Sequence, residues 1–337
     1  MRGAGLQAKP DTRPLRSVVS ARHALALLAV GVVVAVALAV GLTRHGGRSA
    51  PRAHPGARFV GDFESGDLAQ WDHAVDPGPR THPLRTVRSP VRQGRYAAQL
   101  TVDPGDSADE PGATRVDLFE NARPGFAGEG AEEWERVWVL FPSAASSPTP
   151  FEPVPGNWNW LVQWHSASRL IGPQSRTGGQ PFALGVQTGS RLADGRCSYS
   201  TRSRARAELA GYFTGGDIAP GPRRRHTFCT NRALRLDHWY EIGIHVIWSV
   251  DARLGVFQLA IDGQALLDLH GPTLLFDSTS GAVDLPNPDL SNYRGPDPRT
   301  GAAPTWSSTV FYDGLRLGPT AASVGLRRER MALEVGK

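Results

Sequence analysis

Cysteine and lysine are nearly missing from this chain of 337 residues. Cys197 and Cys229 are the only cysteines, too few for a thiolate zinc site, and no HExxH or paired CxxC spacing offers another. Lys9 and Lys337 are the only lysines among 37 basic residues, so positive charge rests almost wholly on arginine, the better clamp for a carboxylate. No G-x-S-x-G occurs, which removes the nucleophile elbow of the α/β-hydrolases. Beyond residue 57 there is no E-x-D-x-E or E-x-D-x-x-E, the paired acids that a retaining glucanase carries on one strand. Asp117 and Glu120 are spaced i, i+3 and would face opposite sides of a strand. Long helical periodicity is also lacking. What is present is 38 Gly, 27 Pro and 9 Trp in a chain that is 40% hydrophobic and 20% charged. That composition excludes disorder and favours an all-β domain with many turns.

The formal net charge of +5 is unevenly spread. Residues 1–57 carry eight Lys/Arg against one acid, Asp11. The remainder is slightly acidic, so a nucleic-acid partner is not expected. Residues 24–42 form an apolar run without a charge. At ~1.5 Å per residue its helix would cross a hydrocarbon core of ~30 Å. Arg2, Lys9, Arg13, Arg16 and Arg22 precede it, which places the N-terminus in the cytoplasm. The expected organisation is a basic tail over 1–23, a transmembrane signal anchor over 24–42 and a linker over 43–57. A main domain over 58–320 and a C-terminal tail over 321–337 follow. The domain would stand outside the cell on a single-pass anchor; the alternative is secretion after cleavage near Ala35-Val36-Ala37. Export allows a disulfide between Cys197 and Cys229, with two unpaired thiols as the other reading.

Strand signals recur along the main domain, at 58–68, 96–102, 114–120, 133–141, 157–165, 182–187, 239–250, 255–261 and 310–317. Many short strands with turn chemistry between them imply a two-sheet sandwich or jelly roll of the concanavalin-like kind. The segment 157–165 (NWNWLVQWH) alternates with period two. Trp158, Trp160, Val162 and Trp164 should share a core face, while Asn159, Leu161, Gln163 and His165 share a polar one. Arg115, Asp117 and Phe119 should likewise lie together. The stretch PNPDLSNYRGPDP, which holds Tyr293, reads as a loop rich in Pro and Asp.

These segments resemble a known family. Arg115-Val116-Asp117-Leu118 is similar to the R-x-E-L strand of jelly-roll polysaccharide lyases, and Gln163-Trp164-His165 to their Q-I-H strand. Asn292-Tyr293-Arg294 resembles the segment that supplies a catalytic tyrosine late in the chain. The hairpin 239–263 and the closing strand 310–318 resemble the heparin lyase I-like group, which shares its fold with alginate lyases. Asp117 stands where Glu is usual, and Asp289 and Ser291 where that group carries Lys and Gly. The resemblance implies β-elimination on a uronic-acid polymer. Arg115 and Gln163 would bind the carboxylate and stabilise the enolate, His165 would take the C5 proton and Tyr293 would protonate the leaving oxygen. Tyr293 could also do both proton transfers with His165 in support.

Asn159, Asp117, Asn292, Arg294, Arg204 and Arg224 are the expected substrate-binding residues. The last two lie in 191–235, where ten Arg face only Asp194, Glu208 and Asp217. Such a segment suits an acidic polysaccharide, and a solvated loop is the plainer reading. No cofactor is required; a structural or activating calcium ion is left open, and the domain is expected to be a monomer. A non-catalytic carbohydrate-binding surface protein, or a glycoside hydrolase of the same sandwich, is the alternative function.

Overall fold

The computed structural model describes residues 56–71, 73–75, 84–106, 110–119, 128–166, 180–191, 197–199, 206–219 and 225–331. The expected membrane anchor 24–42 and its flanks, and Arg204 and Arg224, lie outside the described residues. Among the described residues no helix is long and apolar enough to cross a membrane.

The architecture is an all-β sandwich of two antiparallel sheets. In chain order the strands of the first sheet are β1 (Phe59–Gly61), β3 (Arg85–Val87), β4 (Ala97–Val102), β6 (Glu132–Leu140), β13 (Trp239–Ile247), β14 (Val256–Ile261), β15 (Gln264–His270) and β19 (Ser308–Gly318). The second sheet holds β2 (His73–Val75), β5 (Thr114–Phe119), β7 (Trp158–Ser166), β8 (Phe182–Arg191), β9 (Cys197–Tyr199), β10 (Ala207–Thr214), β12 (Arg225–Cys229) and β18 (Pro286–Arg294). Their spatial orders are β15-β14-β13-β6-β19-β4-β3, with β1 also on β19, and β12-β10-β8-β7-β18-β5-β2, with β9 also on β8. A small third sheet joins β11 (Gly216–Asp217), β16 (Leu275–Asp277) and β17 (Ala282–Val283). Residues 321–337, read as a short helix or a frayed tail, begin with helix α1 (Ala321–Val324), capped by Thr320 and closed by Gly325 at φ 79°.

The two sheets meet over an aromatic core. Trp164 of β7 packs against Phe182, Trp248 and Phe257 with ring centroids 4.8–5.8 Å apart. Burying side chains of this size contributes roughly 1.5–3 kcal/mol each. The Trp164 indole nitrogen donates to Glu135 of the opposite sheet at 3.0 Å, which satisfies the ring N–H and one oxygen of the buried carboxylate.

Strict alternation along β7 fails at one place. The pairing of β7 with β8 shifts between Trp160 and Val162, and its pairing with β18 shifts between Leu290 and Tyr293. Leu161 and Val162 therefore both face the core. The bulge leaves carbonyls without ladder partners. Tyr312 reaches across from β19, and its hydroxyl lies 2.9 Å from the Leu161 carbonyl and 2.6 Å from that of Ser291. Complete burial, with the Asp289 charge nearby, holds that hydroxyl well above the usual tyrosine range, so it remains a donor.

The segment expected to be a loop around Tyr293 is instead β18, a central strand between β7 and β5. Its prolines explain both the misreading and the fact. Pro286 and Pro288 pair with Ser166 and Trp164 on the β7 side, but pairing with β5 begins only at Asp289. The missing N–H groups fall at the strand's entry, beside a single neighbour, where proline is tolerated.

Candidate active site

The bulge decides which side chains reach the outer face of the second sheet. On its C-terminal side Gln163 and His165 point outward, as alternation required. On its N-terminal side the phase is reversed, so Trp158 and Trp160 point outward with them and Asn159 points in. On β18, Asp289, Ser291 and Tyr293 face out while Leu290, Asn292 and Arg294 face in. On β5, Arg115, Asp117 and Phe119 face out, as expected.

Contacts link these residues into one cluster. Tyr293 is the cross-strand partner of Arg115 on one side and of Trp160 on the other. The Arg115 guanidinium lies 5.2 Å from the Tyr293 ring centroid and 5.0 Å from that of Phe119. Phe119 meets the His165 ring edge-on at 5.6 Å. Behind Arg115, fully buried Asp117 forms an ion pair with it. Behind His165, fully buried Asp289 places Oδ2 3.2 Å from the imidazole Nε2. Gln163 Nε2 donates to the same carboxylate oxygen at 3.2 Å and to the Ser291 hydroxyl at 2.7 Å. The Gln180 amide lies 3.2 Å from His165 Nε2 and accepts from the Tyr212 hydroxyl at 3.1 Å.

Two carboxylates are thus buried under the site, each behind a basic side chain that remains accessible: the Arg115 side chain is 12% exposed and His165 24%. His165 Nε2 stands between an acceptor, Asp289 Oδ2, and a donor, the Gln180 amide nitrogen; the first favours a proton on it and the second a lone pair. Neither acid is open to a glycosidic bond, so the pair lacks the flanking carboxyl groups that hydrolysis requires.

Aromatic rings extend the face. Trp158 stacks on Trp160 at 5.7 Å and 13°, and meets Tyr293 edge-on at 4.6 Å. Trp160 in turn meets Tyr212 edge-on at 5.5 Å, and Arg225 lies 3.9 Å over Tyr212. Gly185 makes room for Trp160: a Cβ there would come within 2.2 Å of the Asn159 carbonyl and 2.8 Å of the indole.

A sequence model described as polysaccharide lyase matches residues 63–285, about two thirds of the chain. The chain belongs to the polysaccharide lyase family. Among solved structures, an endo-β-1,4-glucuronan lyase from the fungus Trichoderma reesei is similar, with a TM-score of 0.58 at 16% identity over 80% of this chain and 98% of that one. Alginate lyase A1-II′, a member of polysaccharide lyase family 7, aligns with a TM-score of 0.43 at 12% identity, over 72% of this chain and 85% of that one. A search of curated protein sequences returns no match. The protein is accordingly an enzyme, a polysaccharide lyase on a jelly-roll sandwich.

Three residues expected to bind substrate in this lyase are turned away from the outer face. Asn159 donates to Asn292 at 3.2 Å, and Asn292 reaches the Leu100 and Ser308 carbonyls of the first sheet at 3.0 and 2.8 Å. Arg294 is fully buried and donates to Thr114 and to the Trp306 carbonyl. Burial lowers its guanidinium to about 10, which leaves it charged at neutral pH. The phase change that brings Trp158 and Trp160 out sends Asn159 in, where it meets Asn292; Asn292 and Arg294 face in by unbroken alternation along β18. Asp117, expected to meet the substrate, instead holds Arg115. Of the three tryptophans assigned to the core, only Trp164 is there. Asp289, Gln180, Tyr212 and Phe119 were missed as members of the site; Asp289 carried a signal as a departure from the family pattern, and Phe119 through the strand face it shares with Arg115. Among the described residues no group of three His, Cys, Asp or Glu side chains could hold a metal ion.

Proposed function

We propose that this lyase cleaves a uronic-acid-containing acidic polysaccharide by β-elimination. Arg115 faces the uronate carboxylate and offsets the charge that builds as the C5 proton leaves. The His165 imidazole takes that proton, the C4–O bond breaks, a C4=C5 double bond forms and the Tyr293 hydroxyl protonates the departing glycosidic oxygen. Gln163 serves at one remove: its amide N–H groups are committed to Asp289 and Ser291, so it steadies the carboxylate that orients His165. The observation that carries the reading is the convergence of Arg115, Tyr293 and His165 on one face, through Phe119, with a buried acid behind each of the two basic groups. The glucuronan lyase of similar fold makes a β-1,4-linked glucuronate polymer the first substrate to try.

The test is absorbance at about 232 nm, where the conjugated product absorbs, on a panel of glucuronan, alginate and heparin-like chains. At least one polymer should yield unsaturated product from purified enzyme. Binding without a double bond across the panel would instead make this a carbohydrate-binding protein.

A disulfide between Cys197 and Cys229 is part of the same proposal. Support comes from the meeting of β9, which begins at Cys197, with β12, which ends at Cys229, and from the absence of a free cysteine among the described residues. Closing this loop should contribute about 3 kcal/mol in the chain-entropy account. Unreduced protein, denatured and treated with iodoacetamide, should take up no label; a mass gain of two alkyl groups would refute the pairing.

A further inference from the structure

A cavity of about 420 Å³ opens between the two sheets, where β10 begins and β12 ends. The active face does not use it. Arg206, Arg232 and Arg235 stand around its mouth with Thr230, while Leu209, Ile261 and Leu266 form an aliphatic floor. The volume falls within the ~300–1,000 Å³ of ordinary small-ligand sites.

The arginines are held in place by the backbone that carries them. The Thr230 N–H donates to the Leu209 carbonyl at 2.9 Å, and the Leu234 N–H to that of Ala207 at 2.8 Å. Between them Asn231 takes a left-handed φ of 54°, and its N–H donates to the Glu208 carboxylate. The Arg235 N–H donates to the Tyr240 hydroxyl at 2.7 Å. The turn that presents Arg232 is therefore stitched to β10 before any ligand arrives. Among the described residues an ion pair forms at only one of the three positions. Arg235 pairs with Asp262 at 3.0 Å, whereas Arg206 and Arg232 are exposed and form no ion pair among the described residues. Glu208 feels the Arg206 charge from beyond ion-pair distance and accepts from the Asn231 N–H.

Position relates the cavity to the active face. Trp158 pairs with Gln187, and Gln187 with Glu208. Two strand spacings of ~4.8 Å put Glu208 about 10 Å from Trp158, and Arg206 follows two residues away. An oligosaccharide crossing the strands from Tyr293 past Trp158 would reach this rim.

We propose that the cavity is a second binding site of the enzyme and takes a carboxylated sugar unit, remote from the bond that is cut. The guanidinium forks of Arg206 and Arg232 receive the carboxylate, and the aliphatic floor receives the C–H face of the pyranose. The inference rests on the uronate reading of the active face, yet it can fail separately.

The experiment measures affinity by calorimetry in Tyr293→Phe protein, so that ligand is not consumed. Two ligands differ only at C6: tetraglucuronate carries carboxylates where cellotetraose carries hydroxymethyl groups. Adding Arg206→Ala with Arg232→Ala should weaken tetraglucuronate about tenfold, the loss expected for a charge-assisted contact, and leave cellotetraose unchanged. Both arginines are exposed, and an unaltered thermal midpoint would verify that the fold persists. Equal tetraglucuronate affinity with and without the two arginines would overturn the site, as would an equal loss for both ligands. A wild-type enzyme that yields no unsaturated product would sink the elimination chemistry instead, and leaves this affinity comparison standing.

Discussion

Tyr293→Phe should lower kcat by ~10²–10⁴, the range for loss of a proton-transfer group, with the fold intact. The phenylalanine ring keeps the edge contact with Trp158 and the place beneath Arg115, so packing is preserved and only the hydroxyl is lost. Ground-state binding by Arg115 is untouched, and KM should change little. Steady-state kinetics at 232 nm decide the matter. A variant that retains near wild-type kcat would remove Tyr293 from the chemistry and pass the leaving-group proton to water or another side chain.

His165→Ala should cost a similar factor if the imidazole is the base. Asp289→Asn is the more informative companion. The carboxamide matches the carboxylate in size but carries no charge, so the single oxygen that both His165 Nε2 and Gln163 Nε2 approach becomes a weaker, neutral acceptor. Turnover should fall about 10- to 100-fold, with KM nearly constant, because the acid orients a catalytic group and does not face the sugar. Combining Asp289→Asn with His165→Ala should cost no more than His165→Ala alone, since an orienting group has nothing left to orient. Additive losses would show that Asp289 acts independently of the histidine.

Strands with clear alternation or a solid apolar stretch were legible in the sequence: Glu132–Leu140, Trp158–Ser166 and Ser308–Gly318 are each within a residue or two of their expected limits. The grouping of Arg115 with Phe119, and of Gln163 with His165, was also legible, because each pair lies on one side of any irregularity. Ala207–Thr214 and Pro286–Arg294 were not. The first is Ala- and Gly-rich on a sheet where Gly211 must be small, since a Cβ would come within 2.1 Å of the Ala183 carbonyl. The second hides behind prolines that only a one-sided neighbourhood can accept. The inward turn of Asn159 was beyond reach for a further reason. It depends on a bulge that no local residue pattern marks, stabilised by Tyr312 from the other sheet.

That bulge makes β7 a strand of two reading frames. Before Leu161 the frame that looks outward spells tryptophan; after it, glutamine and histidine. Deleting Leu161 would remove the extra residue and leave both halves facing outward on an unbroken strand, whereas straightening the strand with Leu161 kept would turn either the aromatic platform or the proton-transfer head into the core. Trp158 and Trp160 both pack against Tyr293, so substitutions there should alter the placing of the leaving-group acid as well as the grip on the polymer.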